Sequence, residues 1–154
     1  MTRFATLTFP RPVAAPPALV WQVWTDPAAR AEWSPPAPGV TVEFLTADTR
    51  PGGQEVSICR VAGEPDIRCD IGWIAVDPLR SVNTEAISCE GRLLSVALVT
   101  AEAVAEGAGT LLTVTVQLAS LEQDMEPGYR AGFPAGLANL SALAERRARQ
   151  ASEQ

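Results

Sequence analysis

The chain contains no histidine and no lysine, so all 12 of its basic residues are arginine. Arginine stays protonated in proteins and cannot carry protons near neutral pH. These two absences exclude a Ser-His-Asp triad, a Cys-His pair, a Schiff-base lysine and an imidazole metal ligand. Acid–base chemistry near neutral pH is therefore left to carboxylates, and no catalytic residue or cofactor is predicted.

Cysteine is also scarce, with single residues at positions 59, 69 and 89. The spacing is wide and contains no CxxC pair, so neither a zinc site nor another metal site is predicted. All three residues fall in predicted strands. We therefore expect free, buried thiols, which behave as small apolar side chains.

No apolar run approaches the ~20 residues that a membrane-spanning helix requires. The first ten residues contain no long apolar stretch, so a secretory signal is not predicted and a cytoplasmic location is expected. The net charge of −6 and the pI of about 4.6 disfavour nucleic acid as a partner. No polybasic patch for a membrane surface is present either.

The length of 154 residues favours one domain, which we place at residues 1–150, with a frayed tail at residues 151–154. Apolar residues make up 47% and charged residues 19% of the chain, an ordinary globular balance. A domain of this size buries roughly 70% of the surface of its unfolded chain. A sizeable core is therefore possible.

Periodicity predicts one strand, two short helices, six further strands and one long helix, in that order. The predicted strands are residues 3–11, 40–46, 54–62, 67–76, 81–89, 93–105 and 110–120. In the last strand, Leu112, Val114, Val116 and Leu118 alternate with polar residues, which is typical of an antiparallel sheet with one wet face. The short helices carry Val20, Val23 and Trp24, and then Trp33, with Asp26 and Pro27 opening the second.

The C-terminal segment has helical spacing at Phe133, Leu137, Leu140 and Ala144. Pro134 cannot lie deep inside a regular helix, so we predict that this helix begins near Gly132. It is the only long amphipathic segment available to cover the sheet. The order predicts an α+β protein with a helix-grip fold, in which a curved seven-stranded antiparallel sheet wraps around the C-terminal helix.

Five motifs spread along the chain occur in the same order in a known family. They are Val20-Trp21 with Trp24 to Pro27, Trp33, Arg50 to Gly53, Val76 to Pro78, and Gly132 to Pro134 with Leu137 and Leu140. The chain resembles the bacterial single-domain proteins related to the activator of the ninety-kilodalton heat-shock protein ATPase, which belong to the START-like, or SRPBCC, superfamily. It departs from their usual pattern at Ser34 and Phe133, where tryptophan is common. The resemblance implies the helix-grip fold and a cavity between sheet and helix.

A cavity of this kind holds a small molecule between apolar walls, with a few polar groups that fix its orientation. The alternative is that the same side chains only fill the core. The predicted ligand-binding residues are Trp33, Phe44, Trp73, Leu98, Val114, Val116, Tyr129, Phe133, Leu137 and Leu140. Trp33 and Trp73 combine contact area with an N–H donor, and Tyr129 offers a hydroxyl at the cavity edge.

The strand carboxylates are the remaining candidates for acid–base work. Alternation places Glu43 on the opposite face of the sheet from its neighbour Phe44, and Asp70 on the opposite face from its neighbour Ile71. Both carboxylates should therefore face water. Glu55 and Glu85 are not placed by alternation, and solvent exposure is the simple expectation for them.

Three functions remain open. The first is a non-enzymatic protein that binds a small apolar or lipid-like ligand in an internal cavity. The second is an enzyme of the polyketide cyclase or aromatase kind, as the superfamily resemblance implies. The third is regulation of a chaperone ATPase, as the family name implies. The resemblance also implies that a homodimer is plausible.

Overall fold

A computed structural model describes residues 1–154 of the chain. Seven strands and three helices follow one another in the predicted order. Their bounds are β1 Arg3–Val13, α1 Pro17–Thr25, α2 Pro27–Trp33, β2 Val40–Ala47, β3 Gln54–Val61, β4 Ile67–Asp77, β5 Arg80–Cys89, β6 Arg92–Glu106, β7 Gly109–Ser120 and α3 Glu126–Ser152.

All seven strands form one antiparallel sheet in the order β1-β7-β6-β5-β4-β3-β2. The first strand therefore closes back onto the last, and β1 and β2 are the two edges. The sheet wraps around α3, with α1 and α2 between β1 and β2, so the predicted α+β helix-grip fold is confirmed. None of the three helices is both long and apolar enough to cross a membrane.

The solid part of the core lies over β1, β7 and β6. The predicted alternation of β7 is confirmed, because Leu112, Val114, Val116 and Leu118 are all buried. Leu140 of α3 and Val20 of α1 pack over this half of the sheet. Full burial of aliphatic side chains of this size contributes about 1.5–3 kcal/mol each, so this half anchors the fold.

Helix capping at Asp26 explains why this segment forms two short helices instead of one continuous helix. Asp26 ends α1 and accepts a hydrogen bond from the backbone N–H of Ala29 at 3.0 Å, while Pro27 occupies the first turn of α2. A side-chain acceptor at this position satisfies a helix N–H that has no partner within the helix. The break turns α2 across the inner face of the sheet and carries Trp33 to its end.

Helix α3 begins at Glu126, so the predicted start near Gly132 is wrong. Asp124 accepts from the N–H of Glu126, and Pro127 suits the first turn. Pro134 lies inside the helix, where it lacks the N–H of a regular helix residue, and its side chain is exposed. The helix continues to Ser152, within the segment predicted to be frayed.

A tight turn from Arg50 to Gly53 fastens one end of the sheet. It has the predicted type II form, with Gly52 at a φ of 83° and the N–H of Gly53 donating to the carbonyl of Arg50 at 2.7 Å. Its two glycines also bond the backbone of Trp73 in β4, at 2.8 and 3.0 Å. A Cβ on Gly53 would lie 2.1 Å from the carbonyl oxygen of Asp48, so only glycine fits there.

The pairing of β4 with β5 contains a β-bulge at Ile74. On the turn side Ala75 pairs with Val82, but beyond the bulge Trp73 pairs with Asn83. One extra residue changes which side chains share a face, because side chains alternate with a period of two. Beyond the bulge, the inner face carries Trp73 and Ile71 of β4 beside Asn83 and Glu85 of β5.

Candidate functional site

A cavity of about 320 Å³ lies between strands β2 to β6, the end of α2 and the first half of α3. Its walls are mainly apolar, and they hold a few polar groups near the sheet. The lining residues are Trp24, Arg30, Trp33, Ser34, Pro36, Val42, Phe44, Glu55, Ser57, Cys59, Cys69, Ile71, Asn83, Glu85, Ile87, Val99, Met125, Gly128, Tyr129, Gly132, Phe133, Gly136 and Leu137.

The roof of the cavity is a glycine face of α3. Gly128, Gly132 and Gly136 are four residues apart, a spacing that places all three on the same side of a helix. A Cβ at Gly128 or Gly132 would meet nothing within 4 Å, while one at Gly136 would lie 3.7 Å from the ring of Trp33. The space below α3 therefore exists because these positions carry no side chain.

A buried ion pair closes one side of the cavity. Arg30 of α2 donates two hydrogen bonds to Glu55 of β3, at 2.6 and 3.1 Å, and a third to the carbonyl of Trp24 at 2.9 Å. The guanidinium carbon lies 5.1 to 5.2 Å from the ring centres of Trp24, Trp33 and Trp73. Such cation–π contacts are strongest when the cation is removed from water, and Arg30 is only 5% exposed.

The indole N–H groups of the tryptophans are not available as hydrogen-bond donors to a ligand, contrary to the prediction. The indole of Trp33 donates to the carbonyl of Val23 at 2.9 Å, and that of Trp24 donates to the hydroxyl of Ser81 at 3.0 Å. The indole N–H of Trp73 has no partner, but Trp73 is 2% exposed and lies outside the cavity wall. Trp24 and Trp33 therefore offer the cavity ring surface rather than a donor.

A second carboxylate faces the cavity from β5. Glu85 accepts a hydrogen bond from the hydroxyl of Tyr129 at 2.5 Å, and its other oxygen lies 3.5 Å from the Sγ of Cys69. Both partners are neutral. Glu85 and Glu55 flank Ile71 in one row of the sheet, but only Glu55 is paired with a cation.

Burial raises the pKa of Glu85, because the charged form loses water, although the hydrogen bonds from Tyr129 and Cys69 and the charge of Arg30 act in the opposite direction. Burial and the neighbouring Glu85 carboxylate likewise raise the pKa of the Tyr129 hydroxyl well above its usual range. The pKa of Cys69 is also raised, chiefly by burial and then by Glu85. Tyr129 and Cys69 therefore remain neutral donors at physiological pH.

These shifts predict a pH-dependent stability. Because the pKa of Glu85 is above its ordinary value of 4.5, the folded state binds more protons than the unfolded state between that value and the raised pKa. The contribution of Glu85 to stability is therefore fully present below 4.5 and is lost as the pH rises through the raised pKa. We expect Glu85→Gln to gain stability relative to the native chain as the pH is raised from 4.5 across the physiological range, measured by urea unfolding. A difference that stays constant across this range would contradict the assignment.

Five of the ten predicted ligand-binding residues line the cavity, namely Trp33, Phe44, Tyr129, Phe133 and Leu137. Phe133 stacks between Phe9 and Tyr129, with ring centres 5.2 and 5.8 Å apart. These contacts hold the hydroxyl of Tyr129 toward Glu85.

The other five predicted ligand-binding residues do not line the cavity. Val114, Val116 and Leu140 are fully buried in the solid core, and Trp73 packs beneath Arg30. Leu98 is the clearest correction, because it lies on the outer face of the sheet and is 36% exposed. Its neighbours Ala97 and Val99 face inward. In β6 the large side chain of Leu98 therefore points outward, while the small side chain of Ala97 points inward.

Three charged residues of the cavity were missed or misjudged from the sequence. Glu55 is 2% exposed and Glu85 lines the cavity, so the expected solvent exposure of both is wrong. Arg30 was not singled out, although it lies three residues before Trp33 on a short helix and so shares its face. The cysteines are free, as predicted, but all three are only half-buried, and Cys59 and Cys69 border the cavity.

Comparisons with known proteins agree with this fold. The family model for Activator of Hsp90 ATPase homolog 1-like protein matches residues 14–145. The solved structure of protein Mll3558 from Rhizobium loti is 30% identical, with a TM-score of 0.83 over 92% of this chain and 98% of that one. An uncharacterized protein from Rhizobium leguminosarum is 25% identical, with a TM-score of 0.85 over 95% and 97% of the two chains. Protein CV1439 from Chromobacterium violaceum is 24% identical, with a TM-score of 0.77 over 92% and 98%, a likeness of fold alone. No curated protein matches the sequence.

Proposed function

Because the chain belongs to the family of Activator of Hsp90 ATPase homolog 1-like proteins, we propose that it binds a small apolar molecule in the cavity between its sheet and α3. The observation that carries this proposal is the empty space under the glycine face of α3. Its volume of about 320 Å³ is within the range of natural ligand sites. In this proposal the protein holds its ligand without changing it.

The chemistry of the walls supports the proposal. Aromatic and aliphatic side chains such as Trp33, Phe44 and Leu137 supply contact area, while Glu85 and Tyr129 supply directed hydrogen bonds. Many apolar contacts with few polar groups are typical of a small-molecule site. The absence of histidine and lysine agrees with a binding role, because the usual nucleophile activators are missing.

Acid–base catalysis is the second candidate, and one observation favours it. A carboxyl group with a raised pKa and a tyrosine hydroxyl face the same cavity, at a mutual distance of 2.5 Å. A pKa moved toward neutral pH is what general acid–base catalysis requires of a carboxyl group. Mass spectrometry of a bound compound distinguishes the two roles, because an enzyme would return it chemically changed and a carrier would not.

Filling the cavity tests the binding proposal. We expect Gly132→Leu to weaken binding of a neutral apolar probe, N-phenyl-1-naphthylamine, at least about tenfold, because the new side chain occupies the space where a Cβ meets nothing. Probe fluorescence during titration provides the measurement. Native mass spectrometry of the purified protein should also show a co-purifying small molecule in the native chain and less of it in the variant.

The matched control is Ala142→Leu, which adds a leucine to the exposed side of the same helix and should leave the affinity unchanged. Gly132→Ala should raise the free energy of unfolding by about 0.8–1.0 kcal/mol, since alanine is the better helix former and has room there. Unchanged probe binding in a folded Gly132→Leu variant would overturn the proposal, as would a native chain that binds no apolar probe.

A further inference from the structure

We infer that the cavity selects apolar ligands that carry a protonated amine, with Glu85 as the counter-ion of that amine. This inference rests on the proposed binding function and names the class of ligand. The observations behind it are the charges of the cavity, the partners of Glu85 and the aromatic walls.

The cavity holds one cation and two carboxyl groups. Arg30 is the only basic residue in the wall, and its bonds to Glu55 and to the carbonyl of Trp24 already engage it. Three tryptophan rings enclose its guanidinium and separate it from water. The pair Arg30–Glu55 is therefore neutral as a unit, and an ionised Glu85 leaves the cavity with an excess of one negative charge.

Glu85 has no cation of its own. Its two oxygens meet the hydroxyl of Tyr129 and the thiol of Cys69, and neither group neutralises a charge. A buried carboxylate without a partner of opposite charge is unfavourable, so burial raises the pKa of Glu85. A ligand ammonium group supplies the missing charge and makes the ionised form favourable.

The walls near Glu85 favour the same ligand. Tyr129, Phe133 and Phe44 give the cavity an aromatic wall, and aromatic rings attract cations. An anionic ligand, such as a fatty acid, would meet the carboxyl of Glu85 and find no free basic group, because Arg30 is occupied. A neutral alcohol would bind through the same apolar contacts but would gain no ion pair.

Binding of the amine pairs a protonated amine with an ionised carboxyl group. The ligand arrives as R–NH₃⁺ and forms an N⁺–H···O⁻ bond with the ionised carboxyl group of Glu85. Where that group carries a proton beforehand, the proton passes to the solvent. Charge-assisted hydrogen bonds of this kind are roughly twice as strong as neutral ones. Tyr129 continues to donate to the second oxygen and holds the carboxylate in place.

Three probes with one ring system test the inference, namely 2-naphthylmethylamine, 2-naphthylmethanol and 2-naphthoic acid. Isothermal titration calorimetry near pH 7 should give an affinity for the amine at least about tenfold higher than for the alcohol, and the weakest binding for the acid. Any proton release, detected by titrations in two buffers of different ionisation enthalpy, should accompany the amine only. Glu85→Gln should abolish the preference, so that the variant binds the amine no better than the alcohol.

The outcomes separate this inference from the proposed function. If the alcohol binds and the amine gains nothing, the amine selectivity is wrong and the binding proposal stands. A tighter complex with the acid would also overturn the selectivity. If none of the three probes binds the native chain, the binding proposal itself fails. Tyr129→Phe keeps the carboxyl group, so it should retain the preference for the amine while losing part of the affinity.

Discussion

Replacing Arg30 by methionine is expected to lower the free energy of unfolding by about 3–5 kcal/mol, measured by urea denaturation. The substitution leaves the carboxylate of Glu55 buried at 2% exposure with no cation. It also removes the donor to the carbonyl of Trp24 and the cation at the centre of three indole rings. The cost comes from the uncompensated charge, because an ion pair taken out of water contributes little net stability.

Two controls isolate this cause. The double variant Arg30→Met with Glu55→Leu removes both charges and should recover most of the loss, since apolar replacement of a buried pair is often neutral. Arg146→Ala breaks an exposed pair with Glu32, at 2.7 Å, and should cost less than about 1 kcal/mol. A double variant as unstable as Arg30→Met alone would show that packing of the guanidinium, rather than charge, dominates.

The second large effect is expected at Trp73, where alanine should lower the free energy of unfolding by about 3–5 kcal/mol without changing the affinity for an apolar ligand. Trp73 is almost fully buried beneath Arg30, its indole N–H has no partner, and it does not line the cavity. The loss therefore reflects packing and the cation–π contact with Arg30, and no hydrogen bond. Chemical denaturation and the fluorescent probe titration measure the two quantities on the same protein.

Phe44→Ala provides the opposite case. Phe44 is half-buried on the edge strand β2 and lines the cavity, so its removal should weaken ligand binding more than it weakens the fold. If Trp73→Ala does not fold, Trp73→Phe retains an aromatic ring and should lose less stability with the same affinity. A loss of affinity at Trp73 that matches the loss at Phe44 would mean that Trp73 reaches the ligand.

The fold follows from sequence patterns that depend only on neighbouring residues. Alternation along β7, the Asp26–Pro27 helix start and the Arg50–Gly53 turn all express local geometry, and the structure confirms each of them. The start of α3 was misplaced because Pro134 normally breaks a helix, whereas here its side chain is exposed. The outcome at Pro134 depends on tertiary surroundings that a sequence pattern does not contain.

The position of Glu85 shows where local patterns stop being sufficient. A two-residue turn at Pro78-Leu79 with regular pairing would place Thr84 opposite Trp73 and turn Glu85 toward water. The bulge at Ile74 shifts the register by one residue, so Asn83 lies opposite Trp73 and Glu85 faces the cavity. No sequence pattern around Ile74 predicts that bulge, so the orientation of Glu85 could not be predicted from the sequence.

The glycine face of α3 has a consequence for how the protein moves. Each glycine within a helix costs about 0.8–1.0 kcal/mol relative to alanine, and Pro134 removes a further backbone hydrogen bond in the same stretch. The half of α3 above the cavity should therefore open locally far more often than the half that packs on the solid core, and its amide protons should exchange with solvent sooner. The missing side chains that leave space below α3 should therefore also make this wall of the cavity the easier one to open.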